Sequence, residues 1–118
     1  MNTVWTKEID DILKMGQSLE FIGVNNWALC KNDALKALSA LEAINASVLG
    51  GDVYSKNKQF LEANYDSWYC ERLNFEADLH YVERSIAKAK KYIESYSCVE
   101  KEVFFSIVPD VKNRHQVD

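Results

Sequence analysis

Proline, glycine and long apolar runs are scarce in this sequence. Its 118 residues include one proline and four glycines, and no window approaches the run of about 18 apolar residues that a membrane span needs. The N-terminus has no basic segment followed by an apolar stretch, so no secretion signal is predicted. These absences argue against a linker, a disordered chain and a membrane protein, and they favour a cytoplasmic location.

Metal-binding and redox motifs are also missing. Cys30, Cys70 and Cys98 are widely spaced and form no Cys-x-x-Cys pair, which is typical of reduced thiols in a reducing compartment. His80 has only single carboxylates at helical spacing, and His115 stands in a polar tail. A metal site needs three or four convergent donors, so we predict neither a metal nor another cofactor.

Positive charge is too sparse for a nucleic-acid protein. The formal net charge is −4, from 18 acidic and 14 basic residues, and such a chain does not bind a phosphate backbone readily. Gly50-Gly51 lacks the further residues of a phosphate-binding loop. Stacking of RNA bases on the aromatic residues between 54 and 69 is a weak alternative, because only Lys56 and Lys58 lie nearby. We expect a charged partner to be basic.

The hydrophobic pattern predicts three helices. Thr6 can cap the first, and leucines recurring at threes among alanines indicate a second at roughly 32–45. The third is predicted with Asn74 as its N-cap and an apolar stripe at steps of four and three. That stripe comprises Phe75, Leu79, Val82, Ile86, Ala89, Ile93 and Tyr96.

The remaining apolar runs predict strands. One short strand is expected within 21–30, and residues 47–54 should form a hairpin with 59–63 through a turn at 55–58, which brings Tyr54 near Phe60. Residues 102–108 should form a strand ended by Pro109, either interior to the sheet or covered by helix and loop. We therefore predict an α+β fold, with three helices packed on a small, mainly antiparallel sheet. A single domain should span residues 1–118, with 110–118 as a flexible tail.

The stretch from Ser47 to Cys70 has the most unusual composition. Two adjacent glycines in a strand usually mark a bulge or a close approach of another backbone or ring. Tyrosine and tryptophan carry much of the binding energy of protein interfaces, and acidic neighbours would steer a basic partner. The candidate partner-binding residues are Asp52, Tyr54, Glu62, Tyr65, Asp66, Trp68 and Glu71. Core packing of Tyr54 and Trp68 is an equally open interpretation.

A catalytic function finds little support in the sequence. Asp52 and Asp66 could form a general acid and base pair, since apolar neighbours would raise the pKa of each. Aspartates beside glycine or serine more commonly bond to backbone amides. No nucleophile with an orienting base is recognisable, so we expect no catalytic residue and no enzymatic activity.

Three motifs give the chain a family resemblance. Gly50-Gly51-Asp52-Val53-Tyr54, Tyr65-Asp66-Ser67-Trp68-Tyr69 and the helical segment from Ser85 to Tyr96 occur in order, preceded by Gly23-Val24-x-Asn26-Trp27. In these motifs the chain resembles the bacterial immunity protein 40 family of polymorphic toxin systems.

The resemblance implies a small cytoplasmic protein that binds and neutralises a cognate protein toxin in the cell that produces both. The acidic charge suggests a toxin with a basic active-site groove, such as a nuclease. Two alternatives stay open, namely an adaptor module with a non-toxic protein partner and a small enzyme that uses Asp52 and Asp66. The oligomeric state is left open as well.

Overall fold

The computed structural model describes residues 5–97 and 102–110. Within them lie three helices and five strands, in the order α1 Lys7–Leu13, β1 Gln17–Ser18, β2 Trp27–Ala28, α2 Lys31–Ala43, β3 Ser47–Asn57, β4 Phe60–Tyr69, α3 Asp78–Ser95 and β5 Val103–Asp110, with a 3-10 helix at Glu20–Ile22. Every strand pairing is antiparallel, so the predicted α+β class is confirmed. Cys98, His115 and the tail beyond residue 110 lie outside the described residues.

The three-stranded sheet has β3 at its centre, between β4 and β5. Helices α2 and α3 pack on one face of this sheet, α1 packs against α2, and all three contribute apolar side chains to the main core. Thr6 caps α1 as predicted, since its side chain accepts a hydrogen bond from the backbone of Ile9. No helix in the described part of the chain is long and apolar enough to cross a membrane.

The opposite face of the sheet is only half covered. At one end Tyr54 and Leu61 are buried beneath Leu19 and Ala28, from the segment that contains β1 and β2. At the other end the strand register places Asp52 beside Ser67 and Gly50 beside Tyr69, with no element of the described chain packed over them in either core cluster. This uncovered half, which we call the open face, contains several motif residues.

Strand β5 agrees with one of its two predicted settings and differs from the prediction in where it ends. It is an edge strand that is covered rather than interior, since Leu29 lies along part of its outer side through two backbone hydrogen bonds to Phe105 of 2.7 and 2.8 Å. It also continues through Pro109, which pairs with Val48, and ends at Asp110. The end at Pro109 was therefore predicted wrongly, because an edge strand tolerates a residue that lacks a backbone donor.

The β3–β4 hairpin is longer than predicted. Strand β3 extends to Asn57, so the turn falls at residues 58–59 and Tyr54 pairs with Ala63 rather than with Phe60. Strand β4 continues from there to Tyr69 as one strand with an irregularity. Its aromatic segment is therefore part of the sheet.

The third helix begins later than its periodicity suggested. It starts at Asp78 with Ala77 as its N-cap, so the prediction of Asn74 as cap is wrong. Phe75 lies before the helix and is fully exposed, and Leu79 is 63% exposed although it lies in the first turn. The regular stripe thus marks the core only from Val82 onward.

Candidate functional site

The structure separates the seven candidate residues into a buried and an exposed set. Trp68 is 6% exposed and stacks on Tyr92 with ring centroids 5.0 Å apart. Tyr54 is 5% exposed and belongs to the smaller core cluster, where burial first and the nearby Asp52 second raise its pKa. Neither side chain offers a surface to a partner in the folded chain, so both act as core residues here.

The glycine pair explains why Trp68 is buried. A Cβ atom on Gly51 would collide with the indole carbons Cη2 and Cζ3 of Trp68 and with the carbonyl oxygen of Ser106, and one on Gly50 would collide with the backbone of Trp68. The ring therefore lies directly against the glycine backbone. The expectation of a close approach at this pair is confirmed, and β3 also carries a register shift between Val48 and Gly50.

The exposed candidates are Asp52, Glu62, Tyr65, Asp66 and Glu71. Asp52 is on the open face, where the glycine pair, Ser67, Tyr69 and Val108 help to line a shallow depression of about 210 Å³. Glu71 accepts a hydrogen bond of 3.1 Å from the hydroxyl of Tyr69. At this depression the exposed side chain of Tyr69 therefore lies close to the carboxylates of Asp52 and Glu71.

The side chain of Asp66 lies on the face of the sheet that the helices cover. Its carboxylate accepts a 2.6 Å hydrogen bond from the hydroxyl of Tyr96, whose ring packs edge-on against Phe105 in the helix-side core. Asp52 instead lies on the open face beside Ser106, which follows Phe105 in β5. Because successive residues of a strand point to opposite faces, the arrangement gives no support to a paired acid and base at Asp52 and Asp66.

An ion cluster that the sequence did not reveal fixes the loop between β4 and α3. Arg84 of α3 binds both carboxylate oxygens of Glu76 at 2.8 Å, and it also donates to the carbonyl of Glu71 at 2.6 Å. Glu76 further accepts the backbone N–H of Leu73 at 2.9 Å. We call this the Arg84–Glu76 clasp. With Asn74 as the predicted N-cap, Glu76 would lie in the first turn of a helix, where no such contact is expected.

Replacement of Glu76 by glutamine should remove the clasp and lower the melting temperature at pH 7 by several degrees. The carboxylate side chain is 2% exposed, and the hydrogen bonds from Arg84 lower its pKa from 4.5 to about 2. A lowered pKa in the folded state stabilises the fold above the unfolded value, and this stabilisation is lost as the pH falls toward 2. The difference between the two proteins should therefore narrow between pH 4.5 and 2 in thermal melts.

Glu83→Gln is the matched control, because Glu83 is an exposed carboxylate of α3 next to Arg84 and enters no ion pair with the described residues. It should melt like the unaltered protein throughout this range. A constant difference between Glu76→Gln and the unaltered protein down to pH 2 would contradict the assignment of the clasp.

The clasp lies beside three exposed apolar residues, of which the apolar spacing assigned Phe75 and Leu79, but not Leu73, to the stripe of the third helix. Leu73 is 56% exposed, Leu79 is 63% exposed, and Phe75 is exposed in full. The one available signal was local: Asn74 and the acidic residues around Phe75 are as typical of a turn as of a helix start. In the part of the chain that the structure describes, no three histidine, cysteine or acidic side chains converge to hold a metal ion.

Comparison with known protein families identifies a match to most of the chain. The family model described as immunity protein 40 matches residues 18–109, from β1 to the penultimate residue of β5. The curated proteins and the solved structures gave no match to the chain.

Proposed function

The chain belongs to the immunity protein 40 family, and on that basis we propose that it binds a cognate protein toxin in the cytoplasm of the bacterium that makes it and so neutralises the toxin. The match over residues 18–109 is the observation that carries this proposal. It covers the three-stranded sheet up to Pro109 and the two longer helices.

The positions of the motif residues suggest that the buried ones stabilise the fold and that the exposed residues around them contact the toxin. Gly51, Trp68 and Tyr92 form one packed contact, and buried Asn26 donates to the carbonyl of Ile107 at 3.0 Å. Buried Ser85 accepts the backbone N–H of Val48 at 2.9 Å, next to the register shift in β3. These motif residues maintain the fold, so contacts with a toxin must come from the exposed residues around them.

The exposed residues suit a basic protein partner. Asp52, Glu62 and Glu71 are exposed carboxylates, and Tyr69 is 58% exposed beside Glu71. Aromatic side chains ringed by polar groups are typical of interface hot spots, and complementary charge accelerates association. The proposed mode of action is therefore steric and electrostatic occlusion of a basic toxin surface, without catalysis by this chain.

Co-expression tests the proposal. Cells that express the toxin domain encoded beside this chain should stop growing, and co-expression of the chain should restore growth. Restored growth requires the chain to fold, but folding alone does not produce it. A folded, soluble chain that leaves killing unchanged would therefore contradict the proposal. A stable complex with a neighbouring protein that has no toxic activity would favour the adaptor alternative instead.

A further inference from the structure

Tyr65 and Phe75 each combine a left-handed backbone conformation with an exposed aromatic ring, and neither feature stabilises the fold. The backbone angle φ is 70° at Tyr65 and 63° at Phe75, a left-handed conformation that brings the Cβ atom of most residues close to a carbonyl oxygen. Their side chains are 91% and 106% exposed, so neither ring gains from burial. An aromatic residue at such a position costs stability and returns none within this chain.

Phe75 projects from a tight turn. The N–H of Glu76 donates to the carbonyl of Leu73 at 3.1 Å, which places Asn74 and Phe75 at the two central positions. Positive φ at the second central position is the type II pattern, where glycine or asparagine is favoured. The Arg84–Glu76 clasp fixes the turn on both sides, so the phenyl ring is presented by a rigid backbone.

Tyr65 projects from a bulge that is held in the same manner. Asn64, Tyr65 and Asp66 together lie opposite Val53, because the register with β3 shifts by two residues there. The hydroxyl of Tyr96 donates to Asp66 at 2.6 Å and accepts from the amide of Asn64 at 3.0 Å. The residues on both sides of Tyr65 are thus tied to the chain just after α3, while its own ring remains free.

The charges around these two rings are unbalanced. Between residues 60 and 84 there are six acidic side chains and two arginines, and each arginine binds one of the acids, Arg72 with Asp78 and Arg84 with Glu76. Four carboxylates form no ion pair with a lysine or arginine of the described residues, namely Glu62, Asp66, Glu71 and Glu83. The segment that contains both aromatic rings therefore has a surplus of unpaired carboxylates, which favours a positively charged partner.

We propose that Tyr65 and Phe75 are the two anchors by which the chain holds its toxin, each ring entering an apolar pocket on a basic face of the toxin domain. Rigid presentation lowers the entropic cost of binding, and the acidic surroundings match lysine and arginine at the pocket rims. The inference rests on the proposed function and deepens it, because it assigns the contact to strand β4 and the loop that follows it.

The test measures affinity and stability on the same variants. Tyr65→Asn and Phe75→Asn remove each ring, and asparagine tolerates a left-handed backbone. We expect each variant to bind the purified toxin domain about tenfold or more weakly by calorimetry. The melting temperature should be equal to or higher than that of the unaltered chain, and added salt should weaken binding.

Phe21→Asn is the matched control, because Phe21 is 52% exposed and has a negative φ. It should bind within about twofold of the unaltered chain. Unchanged affinity of both anchor variants, a marked fall in their melting temperature, or salt-independent binding would overturn the inference. Failure of the unaltered chain to bind the toxin domain would instead contradict the proposed function, and it would be seen before any variant is compared.

Discussion

Replacement of Gly51 by valine is expected to destabilise the fold by about 3 kcal/mol or more, at the upper end of what overpacking costs. The new Cβ atom would meet the indole of Trp68 on one side and the carbonyl of Ser106 on the other. The indole could rotate only by giving up its stack on Tyr92, and the carbonyl belongs to the ladder that joins β3 to β5. Neither the indole of Trp68 nor the carbonyl group of Ser106 can move without a loss of stability.

Urea denaturation of Gly51→Val measures this loss directly. Asp52→Val is the matched control, since Asp52 is the next residue of the same strand and is exposed. Its free energy of unfolding should change by no more than about 0.5 kcal/mol. Equal stability of the two variants would contradict the close contact between Gly51 and Trp68, and a Gly51→Val protein that folds normally yet fails to bind would place the glycine in the contact surface.

Truncation of Trp68 to alanine should cost about 3–5 kcal/mol, the usual range for a buried tryptophan or phenylalanine. The side chain is 6% exposed and fills the space above Gly51, so its removal leaves a cavity and deprives Tyr92 of its stacking partner. Small domains are stable by about 5–15 kcal/mol. Such a loss therefore brings the protein close to unfolding at 37 °C.

Tyr69→Ala is the natural comparison for Trp68→Ala. Tyr69 is the next residue and is 58% exposed, so its truncation should cost less than about 1 kcal/mol. Chemical denaturation of both variants under one set of conditions measures the difference. Similar losses for the two would show that the indole is not the core residue that the structure makes it.

Local pattern was enough to predict much of the fold. Leucines at helical spacing identified α2 within two residues at each end, and Thr6 was correctly assigned as the cap of α1. The glycine pair was correctly linked to a close approach, because a strand has few other reasons to lose two adjacent side chains. These features depend on residues that are neighbours in the sequence.

The errors arose where distant residues decide the outcome. The apolar spacing from Phe75 onward continued the pattern of α3, yet Arg84 reaches back to Glu76 and holds that segment as a turn. Pro109 was expected to end β5, but an edge position permits it to remain in the strand. Periodicity carries no information on either tertiary contact.

The candidate site shows the same limit. Composition selected Tyr54 and Trp68 together with Tyr65, although burial separates the first two from the third. Phe75 was assigned to the core because its spacing fitted, and only its backbone angle and exposure identify it as a surface residue. Sequence could find the aromatic and acidic region but could not tell which rings face a partner.

The most direct measurement is a titration of the purified toxin domain with this chain while the activity of the toxin is followed. Binding that blocks a toxin should abolish its activity as the chain approaches one equivalent, and the Tyr65→Asn, Phe75→Asn double variant should require a large excess to reach the same inhibition. Full toxin activity in the presence of excess folded chain would contradict the central claim.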